Sequence, residues 1–274
     1  MLSICKAPEK YNGATIHDVV QNKTTTKEKM DAVVELLKTS PIKGCITGSY
    51  WLPRFDPDNW GTKPDIDIFV FGENELVHAI NFMQYALGME PGKGTERSKK
   101  QEQWKLDRLM RQGLNYKLGI TTYTFYAEGI MINTTFKQRK VHGHWVPLLS
   151  VPDVLQSFDM SIVMQGYDIE HHVLYDMRVG SHFVAIPNPL RNQDCTMWTV
   201  TKWVRQFDRV VKYYNRGFDT RPMAEFYLKM IDECIEAGCL FDSEESKNAF
   251  ESFNKEFLEK RAMIADWLDE HKED

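Results

Sequence analysis

The chain has 274 residues, of which 42% are hydrophobic and 27% charged, and its formal net charge at pH 7 is −5. This composition excludes a wholly disordered chain, because it provides enough apolar side chains for one large core or two smaller ones. The acidic net charge argues against a protein that simply coats nucleic acid. The first residues lack the apolar run of a signal peptide or membrane span, so we expect an intracellular, cytoplasmic protein with no membrane contact.

The first part of the chain predicts an α+β fold, because short apolar strands alternate with segments of helical periodicity. The predicted helices are residues 25–38, 75–87 and 98–110. The predicted strands are residues 45–47, 66–71, 123–125, 130–136, 158–164, 175–179 and 182–186. Two hairpins are predicted among them, 123–125 with 130–136 around Glu128-Gly129, and 175–179 with 182–186 around Gly180-Ser181.

The last part of the chain predicts helices only, at residues 197–214, 223–237 and 246–268. We therefore predict two domains, residues 1–190 and 191–274. The charges are unevenly distributed between them. Basic residues outnumber acidic ones between residues 93 and 117, which indicates either a solvated helix face or a surface for phosphate, whereas residues 224–274 are strongly acidic.

Two short motifs carry the chemistry of the strand-rich half. Gly48-Ser49 directly follows an apolar strand, where a glycine allows close backbone approach and the serine hydroxyl with neighbouring amides can hold phosphate. Asp65 and Asp67 lead the next strand, and alternate residues of a strand point to the same face. Two carboxylates aimed at one place are costly without a cation, and Mg²⁺ or Mn²⁺ suits carboxylate oxygen. These residues predict a metal and phosphate site.

A third acidic residue, Asp159, interrupts an apolar segment. A buried strand has no use for a lone aspartate unless that residue is paired or binds a metal, so we predict Asp159 as a third metal ligand. The other candidates have ordinary explanations: Asp153 as a helix N-cap, and Asp168 and Asp176 as solvated residues near turns.

This combination resembles the signature of the nucleotidyltransferase superfamily, which has the fold of DNA polymerase beta. The resemblance covers about residues 40–165 and implies a mixed sheet flanked by helices, followed by a C-terminal helical region. It also implies that Asp65, Asp67 and Asp159 are the metal-binding carboxylates, and that Gly48 and Ser49 form the phosphate-holding turn. The run Lys-Tyr-Tyr-Asn-Arg-Gly-Phe at residues 212–218 is similar to sequences in phage and large-virus proteins of this kind, in which case the host cytoplasm is the expected location.

The resemblance implies an enzyme that uses two Mg²⁺ or Mn²⁺ ions, held by Asp65, Asp67 and Asp159, to move a nucleoside monophosphate from an NTP to an acceptor, releasing pyrophosphate. The candidate cations for binding the nucleotide are Arg54, Lys63, Arg209 and Lys212. The acceptor stays open between RNA such as tRNA, a protein and a small molecule, and the basic segment slightly favours RNA.

Two other functions remain open. The chain is alternatively an inactive member of this superfamily that binds a nucleotide or RNA, although the three predicted carboxylates argue against that interpretation. It is otherwise an interaction module whose acidic tail binds a partner protein, for which no specific residue pattern speaks.

Overall fold

The computed structural model describes residues 2–4, 10–60, 65–114, 119–188, 207–236 and 258–272. The chain divides into two compact units. The first comprises Met1–Phe158 and Val163–Arg178, and the second comprises Asp159–Ile162 and Val179–Asp274. Within the described residues the predicted α+β class is confirmed, since a mixed open sheet is flanked by helices.

The first unit contains all nine strands of the described residues. The strands are β1 (Leu2–Ile4), β2 (Gly44–Thr47), β3 (Asp65–Val70), β4 (Glu90–Pro91), β5 (Ile120–Ala127), β6 (Ile130–Val141), β7 (His144–Pro147), β8 (Gln165–Asp168) and β9 (Val173–Asp176). Its helices are α1 (Ile16–Val20), α2 (Thr26–Lys38), α3 (Glu73–Asn81, continued by a π-helical turn at Phe82–Ala86), α4 (Glu96–Gln112) and α5 (Val151–Gln156).

The strands lie in the order β1-β9-β8-β2-β3-β6-β5-β4, with β7 paired to β6. Strand β2 is antiparallel to both β3 and β8, whereas β3 is parallel to β6. The predicted hairpin of residues 123–125 and 130–136 is confirmed and is longer than expected, because β5 and β6 pair over their whole common length around Glu128-Gly129. The sheet therefore places the strand that leads into Gly48-Ser49 beside the strand that carries Asp65 and Asp67.

Local signals explain where the main helices begin. Thr25 accepts a hydrogen bond from the backbone N–H of Glu28, and the Glu28 carboxylate accepts one from Thr25 in return. This capping box satisfies two amides that the first turn of α2 leaves unpaired. Thr95 and Ser98 cap α4 in the same way. The predicted starts of these helices are correct to within two residues.

The two faces of the sheet differ in character. Alternate residues of β2, β3 and β6, such as Ile46, Ile66, Ile68 and Ile132, are buried against α1, α2 and α3 in one large apolar core. The intervening residues of β3 point to the opposite face, where Phe69 joins a smaller apolar cluster with α5. Asp65 and Asp67 lie on this second face, so the acidic pair is kept out of the main core by the two-residue period of the strand.

Two predicted strands are wrong. The segment 158–164 contains a short 3-10 helix at Ser161–Val163, because a short apolar run does not distinguish a strand from another buried segment. Residues 182–186 form no hairpin with β9. The backbone N–H of Ala185 donates to the carbonyl of Asp219, and that of Ile186 donates to the Ser161 hydroxyl, so these groups are bonded elsewhere in the second unit.

The second unit is mainly helical, as expected, in the residues that the structure describes. It contains α6 (Phe207–Tyr214), α7 (Arg221–Glu236) and a further helical segment at 258–270. The remainder of the three predicted helices lies outside the described residues. No helix among the described residues is both long and apolar enough to cross a membrane.

Candidate functional site

A row of polar residues crosses the centre of the sheet on its second face. Asp67 on β3 is in register with Thr47 on antiparallel β2 and with Asn133 on parallel β6. Asn133 is in turn opposite Thr124 on β5. Side chains in register on neighbouring strands share a face, so this row brings four polar groups together. Asp65 lies on the same face of β3, two residues before Asp67.

The Asn133 amide holds the two carboxylates together. Its Nδ2 donates to Oδ2 of Asp65 and to Oδ1 of Asp67, both at 3.0 Å. Its Oδ1 accepts a hydrogen bond of 3.0 Å from the Thr124 hydroxyl, which favours the orientation that directs the NH₂ group towards the acids. One amide therefore supplies a donor to each carboxylate and fixes where both side chains point.

A buried glutamate supports this arrangement from behind. Glu102 of α4 is only 6% exposed, and its Oε1 accepts the backbone N–H of Thr124 at 3.0 Å. Its other oxygen is 3.0 Å from Nζ of Lys105. The Glu102 carboxylate satisfies the Thr124 amide, which lies at the edge of the sheet past the end of the short strand β4. Lys105 compensates the charge of Glu102. Helix α4 is thereby tied to the residue that orients Asn133.

The predicted phosphate turn lies against the acidic pair. Gly48 follows the last residue of β2 with φ of +88°, and a Cβ at this position would overlap Oδ2 of Asp67. A glycine is required here for both reasons, the backbone conformation and the close approach. Ser49 begins a short 3-10 helix and is 7% exposed. Among the described residues, the backbone N–H groups of Ser49 and Tyr50 have no acceptor.

We expect Gly48→Ala to lower the free energy of unfolding by about 3 kcal/mol, because the methyl group adds an overlap with Asp67 to the cost of a positive φ. Gly13→Ala is the matched control, since Gly13 has φ of +87° but nothing within 4 Å of its added Cβ. Only the cost of the backbone conformation, about 1 kcal/mol, applies there. Urea unfolding of both variants measures the difference, and equal losses would contradict the close approach of Gly48 to Asp67.

Asp159 has a partner of its own in the second unit. Nη1 of Arg209 on α6 lies 2.7 Å from Oδ1 and 2.8 Å from Oδ2 of Asp159, and the Asp159 side chain is 5% exposed. Two residues for which the sequence predicted a metal-binding and a nucleotide-binding role are thus bonded to each other. A buried carboxylate in an otherwise apolar segment is explained by this ion pair. Both ligand roles stay predictions.

The remaining predicted cations are spread along the chain. Arg54 is exposed in the loop after the 3-10 helix that Ser49 begins. Lys212 is in the last turn of α6, with Nζ 5.8 Å from the ring centroid of Tyr213. Lys63 lies outside the described residues. Their roles in binding a nucleotide stay predictions.

The donor set of the first unit fits one divalent cation. No three His, Cys, Asp or Glu side chains of the described residues form a group that could hold a metal ion. Asp65 and Asp67, however, place carboxylate oxygens on either side of one nitrogen, and carboxylate and amide oxygens are the ligands that Mg²⁺ and Mn²⁺ prefer. The residues therefore suit a cation held by two carboxylates, with further ligands provided by what it binds.

Sequence reasoning missed Asn133, Thr124 and Glu102. The available signal was the polar residue in the apolar run Ile-Met-Ile-Asn-Thr-Thr-Phe at 130–136, which has the same form as Asp159 in its own segment. It does not reveal that β6 lies parallel to β3.

Comparison with protein families and with curated proteins gives no match to this chain. Any functional assignment therefore depends on the residues themselves and on their geometry.

Proposed function

We propose that this protein is a metal-dependent nucleotidyltransferase with its active site at Asp65, Asp67 and the Gly48-Ser49 turn. One observation carries the proposal. A turn whose Ser49 and Tyr50 amides have no acceptor in the described part of the chain meets two convergent carboxylates at the ends of neighbouring strands, with Gly48 against Asp67. Phosphate and a divalent cation are the ligands that such a pair of features would bind together.

Each residue has a defined task in this reaction. Asp65 and Asp67 would hold the cation, which would supply charge stabilisation at the phosphate under attack. The Ser49 hydroxyl and the amides of the turn would bind the terminal phosphates and keep the NTP in line with the acceptor. The acceptor oxygen forms a bond to the α-phosphorus, the bond from that phosphorus to the bridging oxygen breaks, pyrophosphate leaves, and the acceptor proton passes to solvent.

Asn133 lies beside Asp65 and Asp67, at a position where a third carboxylate would add negative charge to the pair. An amide contributes no negative charge and donates to both acids, so cation binding at this site competes with the hydrogen bonds of Asn133. Loss of these hydrogen bonds would be offset by the stronger interaction of the two carboxylates with the cation. We therefore expect weak binding of the free ion and tighter binding when an NTP supplies further oxygen ligands.

A second candidate, an inactive protein of the same kind that binds a nucleotide or RNA, is favoured by a specific observation. The two acids already have a donor in Asn133, and the carboxylate of Asp159 is engaged by Arg209. The Asn133 hydrogen bonds satisfy one oxygen of each acid without a metal, and the Arg209 guanidinium compensates the charge of Asp159. This alternative predicts nucleotide binding without turnover.

The experiment that separates the two candidates is transfer of label from each α-³²P-labelled NTP, with Mg²⁺ or Mn²⁺ and total RNA or protein extract. The proposed enzyme transfers label to one class of acceptor and releases pyrophosphate. Nucleotide binding by calorimetry without label transfer or pyrophosphate release under any condition would favour the inactive alternative.

Asn133→Asp provides an independent test of the cation site. Without metal, a third carboxylate beside Asp65 and Asp67 would repel them, so we expect the melting temperature to fall. With Mn²⁺, the variant gains a ligand and should be stabilised more than the wild type. Differential scanning fluorimetry over a Mn²⁺ titration measures both effects. Asp107→Glu on the exposed side of α4 is the control, and an equal response to Mn²⁺ in all three proteins would contradict a cation site here.

A further inference from the structure

Helix α4 carries a line of exposed basic residues and one tryptophan along a single side. We call this set the basic stripe, and its members are Arg97, Lys100, Trp104, Arg108 and Arg111. Successive members are three or four residues apart, which places all five on one side of a helix. The stripe is about 21 Å long at the rise of an α-helix. At its centre the Trp104 side chain is 59% exposed.

The basic side chains of the stripe outnumber the acids that lie beside them on α4. Within the described part of the chain, no member of the stripe forms an ion pair, and Arg108 and Arg111 donate to the neutral oxygens of the Gln112 side chain and the Asp107 main chain. The lysines beside the stripe differ, since Lys99 is paired with Glu90 and Lys105 with Glu102. Glu90 and Glu102 therefore pair with lysines outside the stripe. Glu96 and Asp107 of α4 lie beside the stripe without forming an ion pair to it among the described residues, so four basic side chains face two acids and the stripe keeps an excess of positive charge.

The stripe points away from the core. The buried side of α4 consists of Glu102, Leu106 and Leu109, which are on the opposite side of the helix. A membrane surface is a poor partner, because an interfacial helix needs a continuous apolar side and α4 has already buried its leucines in the protein. The partner must instead carry negative charge along its length and a flat apolar group that can stack on the Trp104 ring.

A single strand of nucleic acid has both properties. Its phosphates complement a row of arginines and a lysine, and an unpaired base stacks on an exposed aromatic ring. The Arg108 guanidinium, 5.7 Å from the ring centroid of Trp104, is placed to extend this stacking surface. A duplex would offer the phosphates without a free base for Trp104. Both features that distinguish the stripe from an ordinary solvated helix face therefore point to the same ligand.

We propose that the basic stripe of α4 binds single-stranded nucleic acid, with phosphates on its four basic side chains and a base on Trp104. Glu102 of the same helix holds the Thr124 backbone, and the Thr124 hydroxyl orients Asn133 beside Asp65 and Asp67. A nucleic-acid strand bound to α4 is therefore held by the same helix that helps to orient Asn133 at the candidate site. That this strand is the acceptor rests on the proposed function, whereas its binding does not.

The test is fluorescence anisotropy of the full chain with a 5′-labelled RNA of about 16 nucleotides, the matching DNA, and the duplex of each. Four phosphate contacts predict a slope of about −2.8 in log affinity against log salt, or a loss of about 50-fold between about 50 and 200 mM salt. Changing the four basic residues of the stripe to Gln should weaken binding at least about tenfold and flatten the slope. Trp104→Ala should weaken binding about tenfold, whereas Trp104→Phe should keep most of the affinity.

The matched control removes the same charge elsewhere, at Lys23, Lys140, Lys229 and Lys272, each changed to Gln. Equal losses in the stripe variant and the control would overturn the proposal, as would binding of the duplex as tightly as the single strand. Absence of binding would overturn it too, and so would binding only to vesicles of phosphatidylcholine and phosphatidylserine in equal parts. The RNA and DNA arms determine which strand is preferred.

The Asp65→Asn/Asp67→Asn variant keeps the outcomes for the two proposals distinct. It should bind the strand as the wild type does, because these residues are outside the stripe. If the wild type binds the nucleic-acid strand but transfers no label, the proposed enzyme function is wrong and the proposed role of the basic stripe is supported. If the wild type transfers label to a protein or small molecule but binds no nucleic-acid strand, the proposed role of the stripe is wrong and the proposed enzyme function is supported.

Discussion

The double variant Asp65→Asn/Asp67→Asn is expected to lower the rate of nucleotidyl transfer by about 1,000-fold or more. Among the residues that the structure describes, Asp65 and Asp67 have carboxylates that converge on one point beside the Gly48-Ser49 turn. A cation held there would contribute several kcal/mol of charge stabilisation, and each 1.4 kcal/mol corresponds to a factor of about ten in rate. The initial rate of pyrophosphate release at saturating NTP measures the effect.

The substitution is suited to this purpose because it changes charge and hardly changes shape. Asn at both positions removes two like charges that lie close together, so the fold should be retained and urea unfolding should show no loss of stability. Asp107→Asn/Glu128→Gln removes two exposed carboxylates of the same unit and should leave the rate unchanged. Wild-type rates in the Asp65/Asp67 variant would show that any transfer activity belongs to another site.

The second large effect is expected at Asp159. Asp159→Ala should lower the free energy of unfolding by about 2 kcal/mol, because the Arg209 guanidinium loses its counter-charge. Breaking a fully buried pair costs about 3 to 5 kcal/mol. We expect less because the Arg209 side chain is 38% exposed and water screens part of its charge. Arg209→Met should be the more damaging change, since it leaves the 5% exposed Asp159 carboxylate without a partner.

A double-mutant cycle identifies the cause. Its single variants are Asp159→Leu and Arg209→Met, and the double variant Asp159→Leu/Arg209→Met removes both charges. The double variant should recover most of the stability lost in these single variants, as measured by urea unfolding. A coupling energy below about 0.5 kcal/mol would contradict the ion pair. The predicted role of Asp159 as a metal ligand has a different signature. In that case Asp159→Asn would abolish label transfer at temperatures well below unfolding, and the double variant would not restore it.

Helices α2, α3 and α4 of the first unit were predicted because their signals are local, whereas the short helices α1 and α5 were not among the predicted ranges. Thr25 and Thr95 start α2 and α4 through bonds to residues three positions later, and apolar residues at helical spacing indicate the buried sides. The 158–164 and 182–186 segments were mispredicted as strands because their backbone groups bond to distant residues. Ser161 and Ala185 find their partners at Ile186 and Asp219, and no local pattern identifies those partners.

The candidate site divides in the same way. The sequence by itself determined that Gly48-Ser49 follows the end of a strand, because a glycine closes the apolar run there. It also determined that Asp65 and Asp67 share one face of the next strand, because extended backbone has a period of two residues. Only the tertiary structure decided that β6 lies parallel to β3 and brings Asn133 between the two acids, and that Arg209 pairs with Asp159. Strand order and long-range ion pairs depend on how distant segments pack, and the chemistry of an aspartate depends on which of those segments reaches it.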